Sequence, residues 1–329
     1  MSEPAGAAQD LADAGGDDIV LAFRTLLSRA QGRVVRLGRV ADEILSRHDY
    51  PESVSRTLGE AIALSAMLGS LLHANGRLIL QTRTDGPVRM LVVDYTSPGN
   101  IRAMASFDAD AVAARETSGS AGQGHLLGNG HLAMTIDPGG SAPRTQGIVA
   151  LANHSLTLAA HTYFRQSEQI PTFVRLAVAR HQVRGSRGAA PVWHWRAGGL
   201  IVQQLPEDVG TGGVVGSESD DDNLVGDQSE DWQRTRMLAA TVEDHELLDP
   251  TLPTEQLLLR LFAQEGVTVT PPVAIKAHCS CTRQRVERLL QGFGADDIED
   301  MREPDGGVTV TCEYCSMKYR FAPEDLSTL

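Results

Sequence analysis

The chain has 329 residues, 42% of them hydrophobic and 5% aromatic, and a formal net charge of −13 at pH 7. That length suits one large domain with a small one attached, or two domains, and the acidic balance argues against a nucleic-acid or membrane-surface protein. No apolar run approaches the ~20 residues of a membrane span.

Residues 1–18 are rich in Ala, Gly and Asp. They have neither a basic start nor an apolar run, so they do not read as a signal peptide, and a disordered tail is expected. A chain without an export signal sits in a reducing compartment, here the cytoplasm, where standing disulfides are disfavoured. Order is expected from Val20–Leu27, followed by a strand around Arg33–Leu37. From Glu52 to His73 the apolar positions Val54, Leu58, Ala61 and Leu68 recur at helical spacing, with Pro51 in the first turn and Asn75-Gly76 as the stop. The small residues Ala61, Ala63, Ser65, Ala66 and Gly69 suit close packing on a sheet.

A meander follows, with strands over Arg77–Thr84, Val88–Tyr95 and Ile101–Ser106 and turns at Asp85-Gly86 and Ser97–Asn100. The glycine-rich stretch Gly119–Gly130 reads as a loop or bulge, because no helix follows to make it a phosphate cradle. Strands are expected at His131–Asp137 and Thr145–Leu151, then a helix capped by Asn153 or Ser155 and running to about Gln166. Phe173–Arg180, Pro191–Arg196 and Ala197–Pro206 close the domain. Strand runs with two main helices predict an α+β core domain over residues 19–206, not βαβ repeats.

Composition changes at Glu207. Up to Asp231 there is no Lys or Arg, and Asp, Glu and Gly dominate, so a solvated disordered loop is expected. One helical segment spans Ser229–Leu248 with a poor apolar stripe, and a second, capped by Thr254, presents Leu257, Leu258, Leu261 and Phe262 on one face. Such a pair has little stability of its own and needs a neighbour. Residues 207–275 therefore read as an acidic loop and a metastable helical linker. The remainder, 276–325, is a small module. Thr282 caps a helix to about Gln291, Asp296–Met301 could add a turn, and Val308–Thr311 pairs with a return strand at Met317–Phe321.

All four cysteines lie in this module, as Cys279-Ser280-Cys281 and Cys312-Glu313-Tyr314-Cys315. Two close pairs about thirty residues apart match a tetrahedral zinc site. A purely structural zinc site, two disulfides, and a redox switch in which zinc holds reactive thiolates all fit the spacing. The switch is favoured by the closeness of the Cys-x-Cys pair. It is also favoured by Lys276, Arg283, Arg285, Lys318 and Arg320, which can offset thiolate charge that one divalent ion leaves unbalanced. His278 is a possible spare ligand. So few apolar side chains cannot hold about fifty residues, so zinc, worth ~10–16 kcal/mol in small metal-dependent domains, is the expected stabiliser.

The chain resembles the heat shock protein 33 family of redox-regulated bacterial chaperonins. The features that carry the resemblance are Cys279-x-Cys281 and Cys312-x-x-Cys315; Tyr163-Phe164-x-x-Ser167-Glu168-Gln169-x-Pro171-Thr172; Gly124-His125-Leu126; Leu132-x-Met134-Thr135-Ile136-Asp137; and Ala197-Gly198-Gly199-Leu200 before Gln203-x-Leu205-Pro206. The resemblance implies a holdase without ATP, inactive when reduced with one Zn²⁺ per chain on Cys279, Cys281, Cys312 and Cys315. It further implies that oxidation links Cys279 to Cys281 and Cys312 to Cys315, that zinc leaves, and that the module and linker unfold. The oxidised protein then dimerises and holds unfolding client proteins. The tail and the insertion near Gly210–Gln228 are longer than usual for the family.

Two other classes compete with this reading. A zinc-ribbon nucleic-acid module is allowed by the basic residues near the cysteines, but the acidic remainder and the lack of interleaved aromatics tell against it. For an enzyme, Cys312-x-x-Cys315 lacks a thioredoxin-like βαβ setting, and the core offers no defensible Ser/His/Asp set. No catalytic residue is expected.

Overall fold

The computed structural model describes residues 16–140, 142–183, 190–205 and 229–326. Most of the predicted tail and of the acidic loop lies outside these residues. The last two residues of the predicted tail are tied into the fold. The Asp18 carboxylate accepts from the backbone N–H groups of Gly38 and Val40 at 2.9 and 3.0 Å, and Asp17 pairs with Arg196 at 2.6 Å. Order thus begins before residue 19, because these carboxylates satisfy the start of the following helix and a buried guanidinium.

Strands β1 (Ile19–Thr25) and β2 (Ala30–Leu37) lead into helices α1 (Arg39–Leu45) and α2 (Glu52–Gly69). Fourteen of the eighteen α2 residues are buried; Glu52, Ser53, Arg56 and Glu60 leave a polar stripe along its first half, and its second half is buried all round. Its small residues serve two faces. A Cβ on Gly59 would lie 2.8 Å from Val178, and one on Gly69 2.3 Å from the Tyr95 ring. The helix ends before the predicted His73, because Leu71 and Leu72 bond back to Leu68 and Gly69 in a tightened turn.

The meander is β3 (Arg77–Thr84), β4 (Val88–Thr96) and β5 (Asn100–Phe107), followed by α3 (Ala109–Thr117). The glycine-rich stretch is not all loop. It contains the short helix α4 (Gln123–Leu127), held by burial of Leu126 and Leu127 and closed by Gly128 at φ +67°. Five residues are too few to show a period. Strands β6 (Gly130–Asp137) and β7 (Thr145–Ala150) come next, then α5 (Leu156–Tyr163), capped by Ser155, whose hydroxyl accepts from the Leu158 amide. A single π turn over Phe164–Glu168 replaces the predicted end of that helix. The domain closes with β8 (Thr172–Val183) and β9 (Val192–Gln204), the latter one long strand where two runs were expected.

Beyond the undescribed stretch the expected single helix is two, α6 (Glu230–Ala240) and α7 (Asp244–Leu248), because Glu243 and Glu246 form a reciprocal capping box that restarts the chain. Helix α8 (Thr254–Phe262) is capped by Pro253 and not by Thr254, whose hydroxyl is buried without a partner. Short strands β10 (Val267–Val269), β11 (Val273–Ala274) and β12 (Lys276–Ala277) follow. The C-terminal module holds α9 (Arg283–Leu290), α10 (Ala295–Asp300) and the hairpin β13 (Val308–Thr311) with β14 (Lys318–Phe321).

Two sheets organise this α+β chain. The first has strand order β10-β1-β2-β9-β8 with β11 also on β1, and the second β12-β5-β4-β3-β6-β7. Helix α2 lies between them in the main core. The other face of the first sheet, with Leu21, Phe23, Val34, Leu200 and Val202, is covered by Trp232, Leu257, Leu258, Leu261 and Phe262. The glycines of Ala197-Gly198-Gly199 permit this cover. A Cβ on Gly198 would stand 2.6 Å from the Leu247 carbonyl oxygen of α7. The outer face of the second sheet carries the C-terminal module.

Candidate metal centre

Each cysteine pair sits in a turn whose geometry is local. Before the first turn, β12 pairs parallel with β5, and the His278 N–H donates to the Ile101 carbonyl at 3.0 Å. After it, the Thr282 hydroxyl accepts from the Arg285 amide and starts α9. In the second turn the Cys312 N–H donates to Met317 O at 2.9 Å and the Ser316 N–H to Cys312 O at 2.8 Å, with Ser316 at φ +56°. The hairpin β13–β14 thereby turns its two cysteines toward the first pair.

The four sulfurs converge, all lying within 4.8 Å of one another. Cys279 Sγ is 3.7 Å from Cys312 Sγ, and Cys281 Sγ is 3.3 Å from Cys315 Sγ. All four cysteines are free thiols. Four thiolates at about 2.3 Å from one ion in a tetrahedron would be about 3.8 Å apart. The cluster therefore fits a closed four-sulfur zinc site after slight adjustment. Among the described residues the cluster holds these four side chains, and His278 is not one of them.

The sulfurs differ electrostatically. Burial raises the Cys279 thiol, but hydrogen bonds from the Cys281 backbone and side chain and from Arg102 bring it down to about 7. Burial pushes Cys312 and Cys315 up, Cys315 further because the neighbouring sulfurs add to the effect. The Tyr319 hydroxyl donates to Cys281 Sγ at 3.2 Å, which, with burial and the sulfur charge, raises that phenol to about 12. The module's own core is small: Val286, Leu290, Val308 and Phe321.

The module meets the core through polar contacts from the α1–α2 connection and from the second sheet. With the proton on Nε2, His48 donates to the Tyr314 carbonyl at 3.3 Å and accepts at Nδ1 from the Ser316 hydroxyl at 3.1 Å. Arg102 on β5 reaches both cysteine turns. Its Nη1 lies 3.9 Å from Cys279 Sγ and 3.5 Å from Ser280 Oγ, and its guanidinium stacks 4.2 Å from the Tyr314 ring centre. Beside it, a cleft of about 350 Å³ is lined by Arg77, Asp94, Arg102, His278 and Arg285.

A family model described as Hsp33 protein matches residues 18–322. The chain belongs to the Hsp33 family. It is 42% identical over 308 residues to the 33 kDa chaperonin of Caulobacter vibrioides, covering 93% of this chain and 95% of that one. It is 32% identical over 302 residues to the 33 kDa chaperonin of Nitrosococcus oceani, covering 92% and 90%. The crystal structure of the 33 kDa chaperonin homologue of Thermotoga maritima superposes with a TM-score of 0.68 at 21% identity, covering 94% and 97% of the two chains, a likeness of fold. The relatives carry the name of a chaperone and not of an enzyme.

For this Hsp33 chain the sequence named the four cysteines, which the fold brings together, and missed the residues around them. Of the basic neighbours expected to balance the sulfurs, Arg283 pairs with Asp325, and Arg320 with Glu303 and Asp305. Arg285 donates to the Ser280 carbonyl. A cation that sequence reasoning did not name, Arg102, reaches a sulfur from a strand 177 residues earlier. No local pattern marks it, and its position opposite Asp94 in the meander is the one available signal.

Proposed function

We propose that this protein is a redox-regulated chaperone of the cytoplasm that holds unfolding proteins without ATP, and that the four cysteines are its switch. The observation that carries this reading is the convergence of four thiols on a module with four buried apolar side chains, downstream of helices that cover an apolar sheet face. A zinc ion bound there would join the two turns through Cys279, Cys281, Cys312 and Cys315 and supply most of the module's folding free energy.

Oxidation removes the thiolates. One thiolate of a pair attacks a peroxide oxygen, the O–O bond breaks and hydroxide leaves, giving a sulfenic acid. The second thiolate attacks that sulfur, an S–S bond forms, and another hydroxide leaves. Two electrons per pair pass to the peroxide. The resemblance to the family implies the pairs Cys279–Cys281 and Cys312–Cys315, although the short sulfur–sulfur distances run across the turns. Bonds within each turn leave nothing holding the turns together, whereas bonds across, at sequence separations of 33 and 34 residues, would staple the module shut. An opened module withdraws β12 from β5, and α6–α8 then lose one of their anchors. Leu21, Phe23, Val34, Leu200 and Val202 become the surface for apolar segments of clients and for a second oxidised copy.

The test combines zinc content, thiol titration and peptide mapping before and after peroxide with mild heat. The expected result is loss of one zinc and four thiols per chain, together with suppression of aggregation of a heat-unfolding client. An oxidised, zinc-free protein that leaves the client to aggregate overturns the reading.

A further inference from the structure

The outer face of the second sheet carries a charge arrangement that the switch alone does not require. Asp94 on β4 faces Arg102 on β5 in register and is 5% exposed. Arg102 donates to it through Nε and Nη2 at 2.9 and 2.7 Å, and Arg77 donates to both its oxygens at 2.6 Å. Two guanidinium groups thus share one carboxylate. The second anion is outside the sheet. Arg102 Nη1 points at Cys279 Sγ and Ser280 Oγ, and the same guanidinium stacks on Tyr314, between Cys312 and Cys315. With Cys279 as thiolate, two cations face two anions. A four-thiolate cluster around one divalent ion keeps two negative charges, so Arg102 still faces an anion with the metal bound.

We propose that Arg102 is the positioning residue through which the core holds the cysteine module docked, and that oxidation frees the module because it removes the anion that balances Arg102. The inference rests on the switch proposed above and concerns what transmits it. When Cys279 enters a disulfide its sulfur becomes neutral and a poor acceptor. The two electrons have gone to the peroxide, and Arg77 and Arg102 are left to repel each other across a single Asp94. The docked state loses a charge-assisted contact and gains a like-charge penalty at a partly buried site. Arg77 therefore acts in the opposite sense to Arg102. Without Arg77, Asp94 balances Arg102 alone and the module undocks more slowly after oxidation.

The experiment uses the full zinc-loaded chain and follows hydrogen exchange of residues 274–281, with zinc release into a chromogenic chelator, at fixed peroxide and temperature. Arg102→Gln should speed both about tenfold, the size expected for losing one hydrogen bond to a charged group. Tyr314→Leu, which removes the stacking partner from the module's side, should act in the same direction and add little to Arg102→Gln. Arg77→Gln should slow both. Opposite signs for the two arginines are what a merely structural contribution to the sheet would not produce. Equal acceleration by both, or an unchanged rate in Arg102→Gln, overturns the assignment to Arg102 while the wild-type protein still opens. A wild-type chain that keeps its zinc under the same oxidation overturns the switch itself.

Discussion

Asp94 shows how much one side chain can organise. Burial alone would raise its carboxyl, but hydrogen bonds from Arg77 and Arg102 hold it below the usual 3.8. The ionised form is favoured by the fold, so this contribution to stability is complete above the unfolded value near 3.8 and is lost as the pH falls through the lower folded value. Asp94→Asn should flatten the acid limb of stability measured by urea unfolding below about pH 4. An unchanged limb would show that the two arginines do not hold the carboxylate. Gly99 acts by size. At φ +154° a Cβ there would sit 2.0 Å from the Ala274 carbonyl oxygen, and the Gly99 carbonyl accepts from the Lys276 N–H at 2.9 Å. Gly99→Ala should displace the chain entering the first cysteine turn at a cost of roughly 2 kcal/mol. The check is faster exchange of residues 274–278 in the reduced protein.

At the scale of elements, the periodic helices and the short ones are held differently. Helix α8 announces its buried face in its spacing, and Leu257, Leu258, Leu261 and Phe262 are all buried against the first sheet. Leu261→Ala should cost about 2–5 kcal/mol, read as a lower melting temperature and as binding of an apolar dye before any oxidation. Helix α7 has five residues and no period to read. Arg36 holds its C-terminal end, donating to the carbonyls of Glu246, Asp249 and Leu252, and Arg196 donates to that of Leu248. The Glu246 and Leu248 carbonyls have no partner within so short a helix. Arg36→Ala should loosen residues 244–252 by about 3 kcal/mol, with increased protease cleavage there as the measurement.

The molecule as a whole is layered: helices α6–α8, the first sheet, helix α2, the second sheet, and the cysteine module. The two sheets and α2 share one large core, whereas the module has four buried apolar residues of its own. Metal removal should therefore unfold the module and leave the rest of the chain folded. Scanning calorimetry with a strong chelator should show the main transition near its original temperature and a module that has lost its own. A trace in which the module's own transition survives the chelator would contradict a metal-held module.

The sequence by itself determined what depends on near neighbours. The meander was legible from Asp85-Gly86 and alternation, α2 and α8 from helical spacing, and the donor set from the two cysteine pairs. These signals lie within a few residues, so local geometry writes them into the chain. Only the tertiary structure decided that α2 is buried between two sheets, that Gly198 and Gly99 are glycines because other backbones rest on them, and that Arg102 meets Cys279 from 177 residues away. Those pairings are set by which faces remain to be covered once the sheets have formed, and no local spacing records that.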